Sequence, residues 1–314
     1  MNNMKKITAV IACYKDAQAI PIMYKRLISV FQEIEVAYEI IFVNDSSPDN
    51  SEEILAKLAR EDKNLIVVNH SRNFGSQMAF TSGMAISSGD CVVLLDGDLQ
   101  DPPELIGEFY KKWMGGFDVV YGIRANRDTT SIMRILYKLF YRIFQRLSYV
   151  KVPLDAGDFS LMDKKIVKIL CRMPERDRFI RGLRAWVGFR QTGVPYFRPE
   201  RMFGRSTNNF LRNFGWARKG IFSFSYVPLE VITYMSLIVV ILSLIGIVIQ
   251  IILKIINPDV PRGVPLTLVV VLFLGSVQLL SLSVLGEYIG KIFEEVKSRP
   301  QFIVKSIING PKRH

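Results

Sequence analysis

The sequence predicts an α/β domain with a mostly parallel sheet, followed by a two-helix membrane hairpin. Three observations predict it. Short β-branched and aliphatic runs alternate with helical patterns over residues 1–120, as in a parallel sheet covered by helices on both faces. Two 23-residue runs, Val231–Leu253 and Val264–Gly286, carry no charge, and an apolar helix of about 20 residues spans a bilayer core. The net charge of +12 over 314 residues is confined: Tyr121–Gly220 holds 22 Lys and Arg against seven Asp and Glu, a local +15 that leaves −3 elsewhere.

The expected strands are Ile7–Cys13, Tyr38–Val43, Leu65–Val68, Cys91–Leu95 and Asp118–Tyr121. Between them the helical patterns are Gln18–Gln32, Ser51–Arg60 and Ser76–Ser87. Ligands of such sheets sit outside the carboxyl ends of the strands, so the residues that follow each strand are the candidates for function.

In the basic middle segment, Ile132, Ile135, Leu136, Leu139, Ile143 and Leu147 make a helical apolar stripe, with Arg134, Lys138, Arg142 and Arg146 every fourth residue beside it. This is the pattern of a helix lying on anionic membrane lipid; the bland alternative is a domain helix with a solvated basic face. Phe210–Phe224 repeats the mixture of aromatic and basic residues just before the first span.

The spans are bounded by Glu230 and Lys254, and by Arg262 and Glu287. Ser236, Ser243, Ser276 and Ser281, with Gly246 and Gly275, suit close helix packing in lipid and a homo-oligomer. Two helices buried in a large soluble core are the alternative, disfavoured because such cores rarely hold charge-free runs of this length. Arg218 and Lys219 precede the hairpin and Lys291, Lys297, Arg299 and Lys305 follow it, while the connecting loop carries only Lys254, Arg262 and Asp259. Excess Lys and Arg mark the cytoplasmic side. The expectation is a multi-pass inner (plasma) membrane protein with its catalytic domain and both termini cytosolic.

A hydrophobic content of 49% argues against disorder and fits an ordinary soluble enzyme poorly. The local positive field calls for a polyanionic partner: nucleic acid, anionic lipid or a phosphorylated substrate. Cys13, Cys91 and Cys171 are odd in number and far apart, which excludes a disulfide framework or a CxxC metal module. Two histidines leave little for a zinc site. The first dozen residues show no secretory pattern. A reducing, cytosol-facing chain is expected.

The sharpest motif is LLDGDLQDPPE, Leu94–Glu104. Asp96 and Asp98 follow a strand two residues apart, and Mg²⁺ or Mn²⁺ often bridges one or two carboxylates to substrate phosphates. Gly97 permits a tight turn, and Gln100 offers a neutral oxygen. Paired aspartates alone are weak, since Asp-Gly turns are common; the strand end and the basic segment downstream strengthen them. VNDSSPDNS ends another strand, where Asp45 suits a nucleobase or ribose and a plain capped turn is the simpler reading. In NHSRNFGSQ, Arg72 and Gly75 precede a helix N-terminus, a plausible diphosphate cradle; His70 reads as structural. In PLDAGDFSLM, Asp155 and Asp158 stand out in a basic stretch. In RPERMFGRS, Arg201 and Arg205 flank Gly204 near the membrane, well placed for a lipid phosphate.

Taken in order, VIACYKD, VNDSS, SRNFGSQ, LLDGDLQDPPE, VVYGIR, DAGDFSLMD and ERDRFIRG resemble the GT-A polyprenyl-phosphate glycosyltransferases. These are the dolichol-phosphate mannose synthases and, closer still, the bacterial undecaprenyl-phosphate (bactoprenol) glucosyltransferases. The resemblance covers essentially the whole chain, hairpin included. It departs at Ala12 and Lys15-Asp16, where Pro and Asn-Glu are usual, and at Asn44-Asp45, where Asp-Asp is usual.

The resemblance implies a Rossmann-like GT-A domain with Tyr14 and Asp45 on the uridine. Arg72 and Gly75 would lie near the nucleotide, Asp96, Asp98 and Gln100 at a Mg²⁺ or Mn²⁺ ion. Asp158 would be the catalytic carboxylate with Asp155 beside it, and Arg124, Arg134, Arg201 and Arg205 would grip the lipid phosphate. The organisation expected is residues 1–125 for nucleotide sugar and metal, and 126–228 for acceptor and membrane surface. The hairpin then occupies 229–290, and a cytosolic basic tail 291–314. The implied reaction is inverting transfer of a sugar, glucose from UDP-glucose, to undecaprenyl phosphate for cell-envelope glycans, by a homo-oligomer of which a tetramer is one form. Nucleic acid is not an expected partner. Two rivals remain. A processive polysaccharide synthase usually has more spans and a QxxRW motif, neither seen here. A basic membrane-anchored binding protein would have no use for DGD beside DAGD.

Overall fold

Lys6–Cys13 (β1) is almost wholly apolar and buried along its length, as befits a strand covered on both faces. It is the centre of the sheet of a computed structural model that describes residues 4–125, 156–199, 202–203, 225, 227–256 and 264–311. The strands that follow are Ala37–Asn44 (β2), Leu65–His70 (β3), Cys91–Asp96 (β4) and Val119–Arg124 (β5). Ala156–Asp163 (β6), Gln191–Tyr196 (β7) and Val304–Ile308 (β8) complete them. The sheet order is β7-β5-β6-β4-β1-β2-β3-β8. β1 runs parallel to β2 and β4, β2 to β3, and β5 to β7, while β6 and β8 are antiparallel to their neighbours.

The helices cover this sheet. Ile20–Glu33 (α1) starts with Pro in its first turn and buries Ile20, Met23, Leu27, Val30 and Phe31, a stripe at helical spacing. Ser51–Glu61 (α2), Ser76–Ile86 (α3) and Ile106–Met114 (α4) follow β2, β3 and the turn after β4. Lys164–Arg172 (α5) is capped by Asp163, whose side chain accepts from the Lys165 amide. Ile180–Trp186 (α6) precedes β7. The core runs from Ile7, Ile11, Phe42 and Leu95 to Phe109, Phe159 and Leu161.

The five expected strands and three expected helices appear with ends shifted by a few residues. β6, assigned to the acceptor segment, is inserted between β4 and β5, because Phe159, Leu161 and Met162 are buried apolar residues that need both neighbours. Part of the segment 291–314 also joins the sheet. Val304–Ile308 pairs with β3 and covers what would be an open edge.

The described residues fall into two compact units, the sheet with its helices and residues 299–311, and a hairpin unit. In the latter, Val227–Ile256 (α7) and Val264–Val296 (α8) are long and apolar enough to cross a membrane. Leu237, Ile241, Leu272 and Leu279 are exposed, which sets aside the reading of two helices buried in a soluble core. Hydroxyls of Thr233, Ser236, Ser276 and Ser281 donate to carbonyls four residues back, satisfying polar groups inside the helix. The basic amphipathic helix expected around Arg134 and Arg142, and the segment Phe210–Phe224, lie outside the described residues.

Candidate active site

Four parallel strands end along one edge of the sheet. Tyr14 follows β1, Asp45 follows β2, Arg72 follows β3 and Asp98 follows β4. The strand β6 runs the other way, so its first residues, Ala156-Gly157-Asp158, arrive at that same edge. Leu94 pairs with Ser160 as the last rung of the β4–β6 ladder, and beyond it Asp158 lies near enough to Asp96 to raise its carboxyl. At the far side Arg124 pairs with Tyr196 at the ends of β5 and β7.

The Asp96-Gly97-Asp98 turn is held from beneath. The Gly97 amide donates to the Ala12 carbonyl at 2.9 Å, and a Cβ on Gly97 would lie 2.9 Å from that same oxygen. The glycine thus serves close approach to β1, while Leu99 takes the left-handed conformation, φ 64°. Asp98 Oδ1 accepts from the Gln100 amide at 3.1 Å. The Gln100 side chain donates to the Pro199 carbonyl at 3.0 Å, so its amide ties down the chain after β7.

Arg198 stands among three carboxylates. Its Nη2 lies 3.9 Å from Asp96 Oδ2 and from Asp98 Oδ2, and its Nε 3.9 Å from Asp101 Oδ1. Asp101 also accepts from the Tyr196 hydroxyl at 2.7 Å. These are long ion pairs, and at Asp96 the neighbouring carboxylates outweigh Arg198. Burial first, then Asp101, Asp98 and Asp158, push the Asp96 carboxyl up to about 8, with Arg198 opposing. Yet 34% of the Asp96 side chain stays open to the cleft, where a cation would reverse that rise. Among the described residues no three His, Cys, Asp or Glu form a ligand cage. Surplus carboxylate at an open strand end fits a hard divalent ion that completes its shell with phosphate and water.

Across the cleft, Asp158 is buried against cations. Its Oδ2 accepts from Gln77 Nε2 at 2.9 Å and from Arg181 Nη2 at 3.4 Å. Its Oδ1 is buried with no hydrogen-bond partner. Burial pushes this carboxyl up, but Arg181, Arg184 and the Gln77 hydrogen bond outweigh it and hold it below its ordinary value. Arg184 is fully buried, donates to the Gly157 carbonyl at 3.3 Å and lies over the Tyr121 ring at 5.0 Å. Burial lowers its guanidinium to about 10, with Asp158 opposing. Arg124 reaches the same strand end, its Nη2 3.0 Å from where a Gly157 Cβ would stand. Buried N–H groups of Arg124, Arg181 and Arg184 make no hydrogen bond, so this wall carries donors suited to an anion.

Asp45 lies just past the end of β2. It is 3% exposed, and its oxygens accept from the Phe74 amide at 2.9 Å, the Gly75 amide at 2.7 Å and His70 Nδ1 at 2.8 Å. It therefore fastens the loop between β3 and α3 rather than presenting an open acceptor to a base. Gly75, φ 90°, takes the left-handed region that glycine tolerates and caps α3. Arg72 is exposed on that loop, over the Phe74 ring at 4.7 Å. Tyr14 is 39% exposed on the loop after β1.

Tyr14, Arg72, Gly75, Asp96, Asp98, Gln100, Arg124 and Asp158 thus share one edge of the sheet. Asp155, Arg134, Arg201 and Arg205 lie outside the described residues. Gln77, Asp101, Tyr196 and Arg198 lie at this edge and were not singled out from the sequence, whereas Arg181 and Arg184 stood out there only as basic residues after DAGDF, with no role assigned. The arginines of ERDRFIRG were a visible signal, but their direction follows only from the packing of α6 against β6.

A nucleotide-type α/β edge with an acidic turn facing a carboxylate held among arginines is that of a glycosyltransferase with the GT-A fold. Residues 8–170 match the family described as Glycosyl transferase family 2, and the chain belongs to it. It is 41% identical over 305 residues to an uncharacterised glycosyltransferase of Synechocystis sp., covering 96% of this chain and 95% of that one. It is 39% identical to a bactoprenol glucosyl transferase of Shigella phage SfII, covering 97% and 99%. A prophage bactoprenol glucosyl transferase homolog of Escherichia coli is 37% identical, covering 96% and 99%.

Proposed function

We propose that this glycosyltransferase moves glucose from UDP-glucose to undecaprenyl phosphate at the cytosolic face of the membrane, with inversion at the anomeric carbon. The observation that carries the reading is that the Asp96–Asp98 turn after β4 and Asp158 at the head of β6 stand at the same sheet edge, near enough for Asp158 to raise the Asp96 carboxyl. An electron-poor sugar carbon fits between the two, its diphosphate towards the aspartate turn. The relatives named as bactoprenol glucosyl transferases match over nearly their whole length, which supports the same donor sugar and acceptor. The flanking charges of α7 and α8 support cytosolic termini, and the small and polar residues of the spans a homo-oligomer.

In this reading a lipid phosphate oxygen forms the new bond to the anomeric carbon as the bond to the diphosphate breaks, and UDP departs with the electron pair. Asp96 and Asp98, with the Gln100 turn behind them, hold a Mg²⁺ or Mn²⁺ ion, which supplies charge neutralisation at the departing diphosphate. Tyr14, Asp45, Arg72 and Gly75 shape the nucleotide side. Arg124, with Arg134, Arg201 and Arg205, draws in the acceptor phosphate.

Asp158 acts as a charge rather than as a base. A phosphate monoester has a second pKa of about 6 and needs little deprotonation near neutrality. A carboxylate held low by Arg181 and Arg184 accepts a proton poorly. Its unpartnered Oδ1 instead stabilises positive character at the sugar ring.

A panel of nucleotide sugars, assayed for nucleotide release with Mg²⁺ or Mn²⁺ and with or without undecaprenyl phosphate, tests the reading. UDP-glucose should respond, and only with the acceptor present. Acceptor-independent release, or products that lengthen with time, would overturn it. For Asp158, a low and pH-independent rate in Asp158→Asn is expected; recovery as the pH rises would restore the base role.

A further inference from the structure

The chain that leaves the membrane hairpin comes back to the catalytic sheet, and what it touches there is the donor side of the cleft. Val304–Ile308 pairs antiparallel with β3, Val67 opposite Ile308 and His70 opposite Val304. Ahead of the strand, the Ile303 carbonyl accepts from the Ser71 amide at 3.0 Å. The Phe302 ring stacks on His70, with centroids 5.6 Å apart and planes 13° from parallel.

His70 is the junction. Its other neighbour is the Phe74 ring, edge-on at 5.6 Å. Its Nε2 bonds Ser82 of α3 at 2.9 Å and its Nδ1 bonds Asp45 at 2.8 Å. Asp45 in turn holds the amides of Phe74 and Gly75. The loop Ser71–Gly75 is therefore fastened at its start by the tail and at its end by Asp45, through a histidine that the tail roofs. A buried ring with both nitrogens engaged keeps its orientation only while its faces are packed, since each hydrogen bond weakens steeply with misalignment.

We propose that Phe302 and Ile303, just ahead of the returning strand, are a positioning element of the donor site: Phe302 orients His70, His70 orients Asp45, and together with Ile303 they hold the Arg72 loop in its nucleotide-binding form. This deepens the reading of the cleft as a UDP-sugar site and rests on it. Phe302 touches no substrate, so its loss should weaken donor binding and leave the chemical step nearly intact.

The test uses the full-length enzyme in detergent or nanodiscs, with Phe302→Ala, Phe302→Leu and, as control, Ile308→Ala on the same strand. Ile308 packs against the hydrophobic core and does not enter the Phe302–His70–Asp45 chain. In Phe302→Ala the donor KM should rise about tenfold, the lower end of what supporting contacts cost at a functional site, with kcat within about threefold. Amide hydrogen exchange over Ser71–Gly75 should quicken in Phe302→Ala and stay as in the parent in Ile308→Ala. Phe302→Leu keeps apolar volume without the ring and should show the same exchange signature in smaller degree, so it reports if the alanine variant does not fold.

Unchanged exchange in a folded Phe302 variant would overturn the proposal, as would a fall in kcat at constant donor KM. Equal loop exchange in Ile308→Ala would reduce the tail to general stabilisation. The exchange arm needs no substrate. A parent enzyme that releases no UDP from any UDP-sugar would sink the donor assignment and leave the loop result standing on its own.

Discussion

The side-chain amide of Gln77 donates to Oδ2 of Asp158 at 2.9 Å, across 81 residues of chain. Its own oxygen accepts from the Ile180 amide at 2.8 Å. One buried side chain thus joins the start of α3, the start of α6 and the carboxylate at the head of β6, and it leaves Asp158 Oδ1 without a hydrogen bond.

Replacing Gln77 by Leu should lower kcat by about 10- to 100-fold, the usual cost of losing a group that orients a functional one. The donor KM should change less, because the side chain of Gln77 bonds Asp158 and Ile180 rather than the Arg72 loop. Steady-state UDP release measures both. A rise in donor KM with kcat preserved would place Gln77 in the wrong role.

The pH profile should answer to Arg181. Burial raises the Asp158 carboxyl, and Arg181, Arg184 and Gln77 more than offset it, so the folded value lies below the unfolded one. A depressed carboxyl contributes stability that is present above its unfolded pKa, about 3.9, and is lost as pH falls through the folded value. In Arg181→Gln the lowering weakens while burial remains. The acid limb of kcat/KM should move to higher pH, and the stabilising contribution at neutral pH should shrink. An acid limb that stays in place would argue that Asp158 titrates independently of Arg181.

Removal of divalent ions should stop UDP release, and returning Mg²⁺ or Mn²⁺ should restore it. Asp98→Asn keeps the shape of the turn and removes one charge. Its turnover should fall by about 10²- to 10³-fold, the scale of losing one charge-stabilising group at a reacting centre. A fully active enzyme in excess chelator would remove the metal role from the turn.

Gly97→Ala should strain the cleft from below. The new methyl would meet the Ala12 carbonyl at 2.9 Å, Cys13 Sγ at 3.0 Å and Asp16 Oδ2 at 3.1 Å. The backbone cannot yield as a flexible side chain would, so a loss of about 1–3 kcal/mol is expected. Thermal unfolding would show it, with turnover falling alongside as Asp96 and Asp98 shift.

Much of the site was legible because strand ends announce themselves. Apolar runs of the right length stop at Asn44-Asp45, His70 and Asp96, and polar residues follow at once. The periodicity of α1 and the charge-free runs of α7 and α8 were equally plain. Asp45 shows the limit: a polar residue after a strand was correctly located, yet which donors it meets depends on the His70 ring and on the loop before α3.

The sequence by itself determined the α/β architecture, the acidic turn, the conspicuous aspartate of DAGDF and the apolar hairpin, since each rests on local pattern within a few residues. Tertiary structure alone decided that β6 runs antiparallel between β4 and β5, which brings Asp158 to the same edge as Asp96. It alone decided that Gln77 and Arg181 hold that carboxylate, and that Phe302, 232 residues beyond His70, roofs the donor loop. Those are contacts between distant stretches of chain, and no local propensity records them; they are chosen by which apolar faces must be buried together.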